Sequence, residues 1–484
     1  MKRRNFLKNS IGWGSTALLG SGCSSLDQYF GADRRVFDNE VFIIGAGAAG
    51  LMAAHTLKKN KIPFRLFEGS SRPGGRLYSV SSGDGSTLEM GAEFFEAHHQ
   101  LVFSLLKEFQ LEWSEWPVDS LQKPLWQSSQ GDQLTEEDYQ KVAQPFINRL
   151  IADRIRIFGS SEDYRVLSPT LATELDSLSF QEYLQSHWIE ADPRIVKYWD
   201  AINRTQNSAD SKSVSALQVL WQTNFEKKLK PLFRVELGWS ELVRRMFERI
   251  SGVIPDHLVK LNWTLVSFKE TQDGFRCSFK TPQGIQSATC PQVIMALPMN
   301  QYSRISGISS LKISETKLNR LKNAKLGESS KVYLSFPPTA LKNKDRATWY
   351  QDQTLNIALP TKEKMWVGGL RGGDQSHWTL PDIENWALGL IERGPASSWL
   401  RSSQVDFQVM NWRDQNLIQG ARGLWSPQSW LPTSALFESP DYAGRLHWAG
   451  EFVPSHEKGT VHAALESGQK AAIRVMEILK ESRG

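Results

Sequence analysis

Three glycines at the spacing G-x-G-x-x-G, Gly45, Gly47 and Gly50, close the stretch VFIIGAGAAG. The chemistry of such a turn is phosphate binding. Gly45 allows the sharp turn, Gly47 lets a pyrophosphate approach the backbone, and Gly50 lets a helix pack close against a strand. Ala48 and Ala49 lie where the helix begins, and its partial positive end favours an anion. A glycine triplet alone is weak evidence. Glu68 strengthens it, because it ends the apolar run IPFRLFE roughly 20 residues later, where a βαβ dinucleotide unit receives the ribose hydroxyls. In SSRPGGRL, the Gly74-Gly75 doublet between Arg72 and Arg76 lets the backbone pass close to a bulky ligand, with guanidinium groups near phosphate. In LEMGAEFF, the small pair Gly91-Ala92 offers a backbone against which a flat ring system can lie.

These residues need a strand, a tight turn and a helix to hold them. The apolar run before Gly45 supplies the strand, starting near Glu40, and LMAAHTLKKN supplies the helix. From about 100 to 230 the pattern is helical, with apolar residues three and four apart, and Ser179 with Glu182 forms a capping box. Strands return from Ile250, with turns at Asp273-Gly274 and Pro282-Gln283-Gly284, and dominate from about 310 to 430. GRLHWAGEF reads as a strand entering a loop, and GTVHAALESGQKAAIRVMEILK as a long amphipathic last helix.

The chain has 484 residues, 40% hydrophobic and 23% charged, which describes a globular protein with more than one core. A net charge of +5 without a dense basic stripe argues against a nucleic-acid partner. The 18 tryptophans read mainly as large core side chains. The start is different in kind. KRRNFLK pairs Arg3 with Arg4, and the short apolar run IGWGSTALLG falls below the roughly 20 residues of a membrane span. This layout is that of a twin-arginine signal peptide, implying export to the periplasm. Small residues lead into Cys23, a candidate for lipidation that would anchor the protein to a membrane surface. Residues 24–39 read as a tether. Cys277 and Cys290 are expected as buried free thiols, one bridge between them being the alternative.

GAGAAG, Glu68, RPGGR, LEMGAEFF and AGEF…GTVHAALESG together resemble the flavin-containing amine oxidases, the group of monoamine, polyamine and L-amino-acid oxidases. The resemblance runs from about Val41 to Lys480. It implies FAD, held in a discontinuous Rossmann-like domain (40–100, 235–310 and 435–484), beside an α+β substrate domain (101–234 and 311–434). Glu68 would hold the adenosine ribose and Arg76 the phosphate side. Gly91, Ala92 and Glu93 would lie along the isoalloxazine. Leu265 would meet adenine with its backbone. Glu451, after Gly450, would bind the ribityl–pyrophosphate region, and Thr460 with Val461 would open the last helix beside the pyrimidine end. Lys331, in KLGESSKVYLSF, resembles the family lysine that holds a water against flavin N5. The implied reaction is hydride transfer from an amine or amino acid to N5, hydrolysis of the imine, and reoxidation by oxygen to hydrogen peroxide.

The departures are informative. NWRDQNLIQGARGLWSP has no cysteine where many relatives attach FAD, so non-covalent FAD is expected. Thr460 stands in place of one tyrosine of the family's substrate cage, and Arg422 or Trp425 in place of the other. Trp425 would receive a cation; Arg422 and Arg371 would clasp a substrate carboxylate. A carotenoid- or porphyrinogen-type flavin desaturase and a non-catalytic flavin-binding redox protein are the alternatives.

Overall fold

The structure is a computed structural model. It describes residues 35–36 and 40–481, apart from 117–120, 160–165, 188–191, 223–230, 253–257, 338–345, 362–363, 391–405, 434 and 454–457. The twin-arginine pair and Cys23 lie outside the described residues.

Val41–Ile44 is apolar at all four positions and buried at all four, as a central strand covered on both faces must be. It is the middle of a five-stranded parallel sheet ordered Val259–Lys260, Phe64–Phe67, Val41–Ile44, Gln292–Met295, Leu446–Trp448. The helix Ala48–Lys59 follows the central strand and is buried on nearly every side over its first ten residues. That burial is explained by its neighbours, because the last helix, Val461–Glu481, packs along it. A three-stranded meander, Thr264–Thr271, Gly274–Thr281 and Gly284–Cys290, lies next in sequence to the parallel sheet. Cys277 and Cys290 are buried free thiols within it.

A second large sheet has seven strands, ordered Phe407–Asn411, Ser329–Phe336, Met365–Gly372, Thr354–Pro360, Ala347–Gln351, Leu121–Gln127, Gln133–Leu134. All eight residues of Ser329–Phe336 are buried. Helices Glu136–Phe158, Pro169–Ser177, Phe180–His187, Pro193–Asn207 and Ala216–Gln222 form the helical part. The capping box is present: Ser179 N donates to Glu182 Oε2 at 2.8 Å, and Glu182 N donates to Ser179 Oγ at 3.2 Å.

Three expectations from the sequence need correction. The stretch read as helical contains the strands Trp113–Trp116, Leu121–Gln127 and Gln133–Leu134. The first two pair with Leu232–Val235 and Ala347–Gln351, partners about a hundred residues or more away, and such partners override local propensity. Conversely, helices Glu315–Asn323 and Leu380–Leu390 interrupt the strand-rich region. Within the supposed tether, Arg35–Val36 pairs in parallel with Gly284–Cys290. No described helix is long and apolar enough to cross a membrane.

Candidate cofactor and active site

The three glycines of the first turn are each required for a different reason. Gly45 has φ +103°, and a Cβ there would stand 2.6 Å from the Ala296 carbonyl oxygen. A Cβ on Gly50 would stand 1.8 Å from the Gly45 carbonyl oxygen, so the helix could not approach the strand. A Cβ on Gly47 would meet nothing within 4 Å: the turn opens onto free space there. Gly47 is also the N-cap of Ala48–Lys59, and no side chain caps that helix. The first intrahelical bond runs from Leu51 N to Gly47 O, so the N–H groups of Ala48, Ala49 and Gly50 have no helical partner. An uncapped helix start facing open space suits a pyrophosphate.

The RPGGR loop covers this turn. Gly74 N donates to Ala46 O at 2.7 Å, and a Cβ on Gly75 would stand 3.4 Å from Gly47 Cα. The Arg72 guanidinium lies 4.3 Å from the Tyr78 ring centroid and donates to Gly75 O at 2.8 Å. Glu68 directly follows the strand Phe64–Phe67; its Oε2 accepts from Ala46 N and its Oε1 from Ser70 N, both at 2.8 Å. Its carbonyl accepts from Trp263 N at 2.8 Å, which brings the strand carrying buried Leu265 beside it.

Arg76 reaches across the chain, donating to Ala421 O at 2.6 Å and to Glu451 Oε1 at 2.9 Å. Glu451 is buried and also accepts from Gly423 N at 3.1 Å. Its Oε2 has no hydrogen-bond partner among the described residues. A buried carboxylate oxygen without a donor is costly, and a ligand chain bearing hydroxyls would supply one. The residues therefore fit a dinucleotide: a pyrophosphate cradle at one end, and Arg76 with an open acceptor on Glu451 further along. Gly450 N is tied to Ser467 Oγ of the last helix at 2.9 Å, and Thr460 Oγ1 caps that helix by accepting from Ala463 N at 3.1 Å. Val461 is its first residue.

Gly91 lies on the backbone of Arg76, where a Cβ would stand 1.8 Å from the Arg76 carbonyl oxygen, and Ala92 N donates to that oxygen at 3.4 Å. The adjacent side chains form a buried charge cluster. Lys331 is 2% exposed. Its Nζ donates to Glu93 Oε2 at 2.7 Å and to Gly91 O at 3.0 Å. Glu93 Oε2 also accepts from Tyr333 OH at 2.8 Å, and Oε1 from Arg234 Nε at 3.0 Å. Burial alone would push Glu93 up, but Lys331 and Arg234 bring it below the usual carboxylate range. Nearby Glu89 is fully buried and accepts from Trp239 N and Ser79 Oγ. Burial first, and then the Glu93 charge, push it up to about 8, so it holds its proton at neutral pH.

Glu89, Arg234 and Tyr333 were not singled out in the sequence. Tyr333 had a readable signal, since it lies two residues from Lys331 and shares its face of the strand. Arg234 had none, because only the fold brings Leu232–Val235 to the cluster.

The three side chains expected to face substrate are placed differently. Trp425 is 2% exposed, with the Arg320 guanidinium 5.2 Å and Lys458 Nζ 5.4 Å from its ring. Its indole already carries protein cations, and buried Lys458 is brought down to about 7 by burial and then by Arg320. Arg422 donates to Gln206 O, near the end of the helix Pro193–Asn207, and to Lys458 O at 3.3 Å. Arg371 lies 3.7 Å from the Trp378 ring centroid and donates to Thr354 Oγ1 at 2.9 Å.

The parallel sheet, its glycine turn and the acid after the second strand define an α/β oxidoreductase fold built around a dinucleotide. The chain belongs to the family described as flavin containing amine oxidoreductase, whose model matches residues 48–377 and 379–476. It is similar to a pseudooxynicotine dehydrogenase of Pseudomonas sp, 24% identical over 99% of this chain and 96% of that protein. It is also similar to an L-amino-acid oxidase of Pseudechis australis, 21% identical over 91% of this chain and 87% of that protein. A putrescine oxidase structure bound to putrescine superposes with a TM-score of 0.75 at 19% identity, covering 91% of this chain and 100% of that one. The protein is thus a flavin-dependent oxidoreductase of the amine oxidase family.

Proposed function

We propose that the protein oxidises the C–N bond of a small amine with a non-covalently held FAD, and that it works after export, at or near the periplasmic face of a membrane. The observation that carries the reading is the placement of Lys331: a fully buried lysine whose Nζ is fixed on the carbonyl of Gly91, the same small-residue strip that a flat ring would lie along. Bound flavin supplies the electron sink for the α C–H of the amine and returns the electrons to oxygen. The chain's own residues do the rest. Ala48, Ala49 and Gly50 N–H groups receive the pyrophosphate. Glu68 receives the ribose. Arg76 and Glu451 hold the connecting chain, and the Val461–Glu481 helix start presents its positive end. Lys331 holds a water with its remaining N–H, close to where the imine product is hydrolysed.

An amine without a carboxylate is favoured over an amino acid. Arg422 donates to two backbone carbonyls, and Arg371 is stacked on Trp378 and bonded to Thr354. Both would have to break those contacts to clasp a carboxylate.

The test is anaerobic mixing of the FAD-loaded protein with a panel of amines and amino acids, following loss of the oxidised flavin spectrum. Amines should bleach it and amino acids should lag. If no member of either set does so, the amine reading fails and the non-catalytic alternative gains. Acid precipitation should leave the yellow colour in the supernatant; colour in the pellet would overturn non-covalent binding. Membrane fractionation of the full chain, with Cys23→Ala beside it, tests the anchor.

A further inference from the structure

Lys331 and Glu93 stand at the centre of a cluster in which every charged group is buried. The chain rests Lys331 on two acceptors. An ammonium has three N–H donors and no acceptor. One donor goes to Glu93 Oε2 at 2.7 Å and one to the Gly91 carbonyl at 3.0 Å. That leaves a single N–H, and with two directions fixed its own direction is fixed as well.

Glu93 is itself held from three sides. Tyr333 OH donates to Oε2, Arg234 Nε to Oε1, and Arg234 Nη2 is anchored on Thr87 O at 2.5 Å. These partners come from separate elements: Arg234 from Leu232–Val235, Tyr333 and Lys331 from alternate positions of Ser329–Phe336, and Glu93 from the loop after Thr87–Glu89. Among the described residues, the further titratable group beside the cluster is Glu89, which is bonded to Trp239 N and Ser79 Oγ rather than to Lys331. Two cations are thus balanced chiefly by one carboxylate.

We propose that Glu93 is a positioning residue, which acts through Lys331 by holding its ammonium on the Gly91 carbonyl and aiming its remaining N–H, with the water that N–H holds, to where oxygen meets the reduced flavin. This rests on the Lys331 assignment made above, and it redirects Glu93 from a ring contact to a contact with the lysine. The role is electrostatic as well as geometric. Without the carboxylate, Lys331 keeps only a neutral carbonyl, while the Arg234 guanidinium stays close.

The experiment uses FAD-loaded wild type, Glu93→Gln, Glu93→Asp, Lys331→Met and the double variant Glu93→Gln/Lys331→Met. Each is reduced photochemically, without any amine, and its reoxidation by oxygen is followed. Glu93→Gln is expected to slow reoxidation roughly tenfold. Glu93→Asp, which keeps the charge, should recover most of the rate. In the Lys331→Met background, Glu93→Gln should add no further loss, since a residue acting through another is non-additive with it. If Glu93→Gln does not load FAD, Glu93→Ala, which also removes the charge, takes its place in the same cycle against Lys331→Met. Additive losses, or a Glu93→Gln rate equal to that of wild type, would overturn the proposal, as would a Lys331→Met protein that reoxidises normally. The amine reading is judged separately, by whether amines bleach the wild type.

Discussion

Gly468 touches Ala49 across the interface of the last and first helices: a Cβ built on Gly468 would stand 2.0 Å from the Ala49 carbonyl oxygen. Ala49 belongs to the turn proposed to receive the pyrophosphate, and this contact backs the start of the first helix. Gly468→Ala should force the helices apart, lowering stability by about 1 to 3 kcal/mol. It should also weaken FAD binding, although the residue lies outside the proposed contacts. Urea unfolding and FAD titration of the same preparation check both; normal affinity with lowered stability would show that the interface does not govern the turn.

Gly47 and Gly50 separate cofactor binding from folding. A Cβ at Gly47 meets nothing within 4 Å, whereas one at Gly50 meets the Gly45 carbonyl oxygen at 1.8 Å. Gly47→Val should therefore give a folded, colourless protein whose affinity for FAD falls at least about a hundredfold, a loss near 3 kcal/mol. Gly50→Val should fail to fold or melt far below wild type. Circular dichroism and the flavin-to-protein absorbance ratio distinguish the two outcomes.

Lys331→Met keeps the length of the side chain and removes its charge. Glu93 then loses one of its two cationic neighbours while buried, so stability should drop measurably. Turnover of any amine that bleaches the flavin should fall by about two orders of magnitude if the ammonium acts on the reacting atoms. Stopped-flow traces of reduction and reoxidation will show which half-reaction carries the loss.

Glu89 predicts how stability depends on pH. Its carboxyl is pushed from its ordinary 4.5 up to about 8 in the folded protein. Between those values the folded chain keeps a proton that the unfolded chain has released, so stability falls as pH rises through the window. The slope is at most about 1.4 kcal/mol per pH unit for one proton. Glu89→Gln, which keeps the shape without the charge, should flatten that part of the curve. Thermal melts from pH 5 to 8 on both proteins test it; identical slopes would count against a protonated Glu89.

Much of the cofactor end was legible in the residues because its reasons are local. A positive φ at Gly45, a close contact at Gly50 and an acid after the second strand are each written within one short βαβ unit. The Lys331 end was legible only through resemblance. As a residue type, a lysine near the start of a strand reads as solvated, and its burial depends on Glu93, Arg234 and Tyr333 arriving from distant parts of the chain. The strands Trp113–Trp116 and Leu121–Gln127 were hidden for the same reason. Their alternation is poor, and their partners are far along the sequence. The surroundings of Trp425 were hidden as well: nothing in the segment around it says that Arg320 and Lys458 lie against its ring.

The last helix comes from the far end of the chain, yet it supports the turn that opens the first. A ribosome will have released Gly45–Gly50 long before Gly468 exists. Until then the phosphate cradle has no back wall, and Glu451 and Arg76 have not met. If flavin is held as proposed, its capture should wait until the last helix has been made, and a chain truncated before Gly468 should be blind to the cofactor however well its first half has folded.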